Sequence, residues 1–251
     1  MGKPVVTLEN QQDVYDYYLE HQQNRLTSKA AYAALSVRFR PRVSYADGAR
    51  EAIEGLLAGG GSLIIAVNHL SDKDQYILAA TAWRSPLRSI IGRTRVLAKD
   101  ELFADPKQRR QIDMMGGIPV FRGKNHGMRA VADAGRRMMD ISAERLARGD
   151  SLAIFPEGTC NLLDPAQVQR VNSGIGHIAA RAIKLGAALA LLPLGIRYGG
   201  AAGAVGSVGA ASVYIGNPVR EFPAKPMEIA RLVQCGLQDV VDAAGRNLAI
   251  S

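Results

Sequence analysis

The stretch "NHLSDKD" at 68–74 follows directly on the apolar run "SLIIAV". A plain strand-to-helix connection needs only a capping residue at this point, yet here an imidazole arrives with acids close by. His69 and Asp74 stand in H-x4-D spacing, which takes the acid into the first turn of the following helix. From there a carboxylate can fold back onto the Nδ1–H of His69, fix the tautomer and leave Nε2 as a general base. Blander readings use the same residues. Ser71 with Asp74, or Asp72 with Gln75, makes a capping box. A third reading takes His69, Asp72 and Asp74 as metal ligands, although no second histidine lies at a suitable local spacing.

Polar or backbone-special residues leave other apolar segments in the same way. Arg122 ends "GIPVFR", and its planar fork suits a phosphate. "SLAIF" runs into "PEGT", so Glu157, Gly158 and Thr159 exit a strand behind Pro156, with Gly158 permitting close backbone approach. Pro193, in "LLPLGI", is read at or near a further strand end.

The elements that must hold these residues follow from periodicity and breakers. Helices are expected near 10–26, 29–39, 47–58, 73–83, 106–115, 127–148, 174–185 and 227–247. Strands are expected near 62–67, 88–92, 117–122, 151–155, 189–194 and 211–215. Short apolar strands alternating with helices predict an α/β fold, a mostly parallel central sheet with helices on both faces. Residues 1–45 read as an N-terminal helical extension on an α/β domain at 46–251, and the Gly/Ala-rich stretch 199–210 reads as a loop.

Composition narrows the function classes. With 251 residues, 47% hydrophobic and 22% charged, the chain is neither disordered nor repetitive. The formal charge of +8 favours anionic partners. Aromatics are 6% and not interleaved with the basic residues, which argues against a nucleic-acid platform. Cys160 and Cys235 form no C-x-x-C, so they read as reduced thiols rather than a disulfide or zinc site. No apolar run approaches the roughly 20 residues that span a bilayer, and no signal-peptide pattern is read at the N-terminus. A cytoplasmic protein is expected, with possible peripheral contact on the inner membrane face through the two N-terminal amphipathic segments and Arg38, Arg40 and Arg42.

Four blocks in order, "NHLSDKD", "GGIPVFRG", "FPEGT" and "LLPLGI", resemble the glycerophospholipid acyltransferases typified by 1-acylglycerol-3-phosphate acyltransferases, over roughly residues 62–197. The resemblance implies an O-acyltransferase that moves a fatty acyl group from an acyl thioester, on coenzyme A or acyl carrier protein, to a lysophospholipid hydroxyl. No bound cofactor or metal is implied. His69 would be the general base and Asp74 its orienting acid. Arg122 would hold the acceptor phosphate, Glu157, Gly158 and Thr159 would shape the acceptor pocket, and Pro193 would belong to the acyl-donor or sheet-edge wall. Cys160 and Asn161 stand where family members commonly carry Arg and Ser, so Cys160 reads as a lining residue and the acceptor is less fixed than the reaction. The same chemistry on a sugar, polyol or amine acceptor is the first rival. A non-catalytic lipid- or carrier-binding protein is the second.

The remaining histidines and glycines invite quieter readings. "GIGHIA" fits a dinucleotide fingerprint but follows no strand, so it reads as a helix start capped by Asn172 or Ser173. His21, His126 and His177 read as surface, loop or packing residues.

Overall fold

The structure, a computed structural model, describes residues 2–199 and 211–249. Its sheet has seven strands in the order β1-β7-β6-β2-β5-β3-β4. These are β1 (Arg42–Tyr45), β2 (Ser62–Val67), β3 (Thr94–Lys99), β4 (Gly117–Val120), β5 (Ser151–Ile154), β6 (Leu189–Tyr198) and β7 (Ala211–Ile215). Five strands, β6-β2-β5-β3-β4, run parallel, while β7 is antiparallel to β6 and carries β1 parallel to itself. The mostly parallel α/β architecture expected from the sequence is the one observed.

Burial on both faces explains the composition of the central strands. All six residues of β2 and the first eight of β6 are buried, so neither shows the alternation of a half-exposed strand. One face carries α1 (Gln11–Glu20), α7 (Ala132–Ala147), α8 (Gly174–Lys184) and α9 (Pro226–Ala249) over a core that includes Ile64, Ile118, Leu152 and Leu191. The other carries α2 (Arg25–Phe39), α3 (Ala49–Ala58) and α4 (Asp74–Trp83) over Leu63, Ile65, Ala153 and Leu192. Two shorter helices, α5 (Pro106–Met114) and α6 (Gly123–His126), flank β4.

Several expectations need correction. The expected strand at 88–92 is a 3-10 turn over Pro86–Ile90, and the strand follows it as β3. Ile90 and Ile91 supply the apolar signal because they are buried beneath the helical layer. The helix expected at 10–26 stops at Glu20, and the one expected at 29–39 begins earlier, at Arg25, since Asn24 accepts hydrogen bonds from the N–H groups of Leu26 and Thr27 and starts α2 there. The 1–45 extension ends earlier, because Arg42–Tyr45 is an edge strand paired with β7. Before it, the chain wraps the opposite edge. Tyr15 Oη donates to the Pro119 carbonyl at 3.2 Å, while Gln23 and Ser28 reach the Met114 carbonyl. That covers a strand otherwise open to pairing with another chain. Of the Gly/Ala-rich loop read at 199–210, residues 200–210 lie outside the described residues.

α8 begins at Gly174, as the helix-start reading of "GIGHIA" requires. A Cβ at Gly176 would collide with the backbone of Pro226, so that glycine lets α8 approach the start of α9. Ser173 precedes the helix without a side-chain cap bond.

Candidate active site

Strands β2, β5, β3 and β6 all end at one edge of the sheet, where side chains beyond them meet. His69 lies two residues past β2, and Asp74 is the first residue of α4. His69 Nδ1 is 3.0 Å from Asp74 Oδ2. Asp74 is fully buried, and the same oxygen accepts the backbone N–H groups of Leu70 at 2.6 Å and Ser71 at 2.8 Å. Its other oxygen accepts the Tyr198 hydroxyl at 2.5 Å. One carboxylate thus closes the turn and grips the imidazole, the contact that the H-x4-D spacing leads one to expect.

The rest of the ring is held by β5 and its exit. Phe155 stacks on the imidazole with centroids 4.4 Å apart. Glu157, 5% exposed, bridges two segments: Oε1 accepts the His69 N–H at 2.7 Å and Oε2 the Gln169 N–H at 2.8 Å. Burial raises the Glu157 carboxyl above its ordinary range, and those two N–H groups pull the other way. Gly158 adopts φ +76°, and a Cβ there would come 2.9 Å from the Asn172 amide nitrogen. That amide donates to the carbonyls of Pro156 and Glu157 and so pins the corner. Thr159 is exposed beyond it. Asn68 exchanges two hydrogen bonds with the backbone of Ile196, tying the start of the His69 turn to β6.

An apolar cavity of about 520 Å³ opens beside the imidazole between the sheet and α4. Ile65, Val96 and Ala153 form its floor, Ala79 and Ala82 its roof, and Tyr32 of α2 part of its wall. His69, Phe155 and Cys160 line one part, with Lys73 and Lys99 also contributing. Cys160 Sγ is 3.3 Å from His69 Nε2.

Two expected site residues stand apart from this cluster. Pro193 is the fifth residue of β6, not its end. It lies level with Ala66, packs within 4 Å of where Cβ atoms on Gly216 and Gly236 would be, and so faces α9 on the side of the sheet away from the cavity. Arg122 does follow β4 at the same edge, but two strands separate β4 from β2, an offset of about 14 Å. Its guanidinium is 2.6 Å from Glu101, and it is not among the cavity-lining residues. Sequence reasoning also missed Tyr198, Phe155, Asn68 and the two cavity lysines. Of these, Asn68, Lys73 and Phe155 stood within the quoted blocks, and none carried a chemical signal of its own.

A buried acid gripping a histidine, whose second nitrogen meets a side chain lining an apolar cavity, is equipped for proton transfer beside a lipophilic group. The family model described as Acyltransferase matches residues 42–197, more than half of the chain, and the chain belongs to that family. Its fold is similar to the crystal structure of the 1-acyl-sn-glycerophosphate (LPA) acyltransferase, PlsC, from Thermotoga maritima, with a TM-score of 0.54 and 18% identity over 95% of this chain and 81% of that one. Comparison with curated proteins gave no match. Among the described residues, no helix is long and apolar enough to cross a membrane.

Proposed function

We propose that this acyltransferase moves a fatty acyl group from an acyl thioester, on coenzyme A or acyl carrier protein, to the hydroxyl of a lysophospholipid such as 1-acylglycerol-3-phosphate. The reading rests on one observation: His69, oriented by buried Asp74, lines an apolar cavity. An alcohol is a weak nucleophile near neutral pH and a thioester is already activated, so base assistance and positioning are what the protein must add. The cavity takes the acyl chain, His69 takes the hydroxyl proton, and Asp74 stabilises the imidazolium. Lys73 and Lys99 at the cavity suit an anionic headgroup or donor phosphate. Arg122 serves an acceptor phosphate only by exchanging Glu101 for it.

Contact with lipid is peripheral in this reading. The apolar face of α1 is committed to the core through Val14, Tyr15 and Tyr18. Leu26 and Val37 of α2 stay exposed, as do Leu162 and Leu163 in the segment after Cys160. These exposed side chains, and Arg38 and Arg40 beside Val37 in sequence, are apolar and basic groups of the kind that meet anionic headgroups.

Acceptor turnover by purified wild type and His69→Ala, each with palmitoyl-coenzyme A and palmitoyl-acyl carrier protein, tests the proposal. Loss of a general base costs about 10²–10⁴ in rate, so the variant should fall by at least a hundredfold while keeping its circular dichroism spectrum. Unchanged turnover would end this reading. A second acceptor class, a sugar, polyol or amine, is favoured by Cys160 in the usual arginine position and by Arg122 standing off the cavity. A mass-spectrometric acceptor screen separates the two, and strong turnover of lysophosphatidate excludes the second.

A further inference from the structure

Cys160 is not an isolated thiol. Its Sγ lies 3.3 Å from His69 Nε2, while Asp74 holds the opposite ring nitrogen at 3.0 Å and Phe155 supports the ring face. The three side chains stand in the order nucleophile, base, orienting acid, each within the reach that base-activated nucleophiles require. Cys160 also lines the apolar cavity alongside His69. An acyl chain seated there brings its thioester carbonyl to the sulfur as well as to the imidazole. An acceptor hydroxyl going straight to Nε2 has first to displace this sulfur.

We propose that Cys160 is a catalytic nucleophile and that acyl transfer passes through an acyl-S-enzyme, a step that rests on the acyl-transfer reading above. In the first half-reaction His69 Nε2 takes the thiol proton as Sγ attacks the donor carbonyl. A carbon–sulfur bond forms to Cys160, the bond to the donor sulfur breaks, and the imidazolium returns its proton to the departing thiolate. One thioester replaces another, so no further reactant is needed. In the second half-reaction the acceptor hydroxyl occupies the vacated place. His69 takes its proton, its oxygen attacks the Cys160 thioester, and Sγ leaves and is reprotonated by the imidazolium.

The electrostatics suit this order of events. Burial raises the Cys160 thiol above its ordinary range, with Asp74, Asp72 and Glu157 adding to the shift and Lys99 opposing it. The thiol therefore stays protonated until His69 takes the proton, as in a base-assisted attack rather than a standing thiolate.

The test incubates the whole chain with palmitoyl-coenzyme A or palmitoyl-acyl carrier protein, without acceptor, followed by acid quench and peptide mass spectrometry. A palmitoyl adduct is expected on the Cys160 peptide, removable by neutral hydroxylamine, and absent from the peptide of exposed Cys235. Wild type should also exchange labelled coenzyme A or carrier protein into its thioester without acceptor. His69→Ala should slow adduct formation at least a hundredfold, and Cys160→Ala should lose both adduct and exchange. Turnover by Cys160→Ala within threefold of wild type overturns the covalent route and leaves acyl transfer standing. A wild type that turns over acceptor without adduct on millisecond quenching and without exchange does the same. A wild type that transfers acyl groups from neither donor ends both.

Discussion

Asp74→Asn isolates the charge of the buried acid from its shape. The carboxylate oxygen nearest His69 also accepts two backbone N–H groups, from Leu70 and Ser71. An asparagine must keep its carbonyl there, since a reversed amide would leave those donors facing an NH₂ at about 1–3 kcal/mol each. Its NH₂ then meets the Tyr198 oxygen, which can accept. The bonds from Leu70, Ser71 and His69 survive, and with them the tautomer of His69, while the negative charge is lost and the Tyr198 O–H must find another acceptor. At 3.0 Å and an effective dielectric of about 20, full charges attract by about 5.5 kcal/mol, and spreading the imidazolium charge over two nitrogens roughly halves this. About 3 kcal/mol corresponds to a loss of about 10²-fold in kcat. Asp74→Ala instead strands Leu70 N–H, Ser71 N–H and Tyr198 O–H, up to about 3–9 kcal/mol, against a total stability of about 5–15 kcal/mol. Acyl transfer measured under saturating donor, with thermal melts on both variants, reads the two effects separately. An Asp74→Asn enzyme within threefold of wild type, beside an inactive His69→Ala, would refute the electrostatic role assigned to this acid.

Glu157→Gln leaves one acceptor for two buried N–H groups, so a stability loss of about 1–3 kcal/mol is expected, with a ten- to hundredfold drop in kcat as the His69 backbone shifts. Denaturant melts and initial rates check this, and an unperturbed variant would mean that the bridge does not set the turn. Ala79→Phe puts a ring into the cavity roof and should shift the preferred donor toward shorter acyl chains without a large loss of stability. An unchanged chain-length profile would show that the acyl chain lies elsewhere. The raised Cys160 thiol should be alkylated by iodoacetamide more slowly at pH 8 than a cysteine in a short, uncharged, end-capped peptide, approaching it only as pH rises, because less thiolate is present at a given pH. Faster alkylation at pH 8 would reverse the assigned sign.

Much of the scaffold was legible because local chemistry and tertiary role coincide. The runs at 62–67 and 189–194 are apolar throughout because both faces of β2 and β6 are covered. β3 escaped notice because its residues, "TRVLAK", look too polar for an inner strand. Arg95 is only 1% exposed there, and Asp150, 55 positions later, accepts its Nε–H at 2.7 Å. A buried charge of that kind is invisible until its partner is placed beside it. The surroundings of Arg122 were hidden for a related reason. Its residue type and strand-end position fitted a phosphate, but lateral distance across the sheet and the pull of Glu101 are not written in local spacing.

The H-x4-D geometry belonged to the sequence alone, because five residues of turn and helix start suffice to bring Asp74 back to His69. Fold class and family blocks were equally local, since periodicity and strand-exit residues need no distant partner. What surrounds the imidazole was decided only by the tertiary structure. Glu157 arrives from 88 positions later, Cys160 from 91, and Tyr198 reaches Asp74 across 124. Those contacts depend on β5 and β6 lying on either side of β2, a strand order fixed by packing over the whole sheet rather than by residues near any one motif.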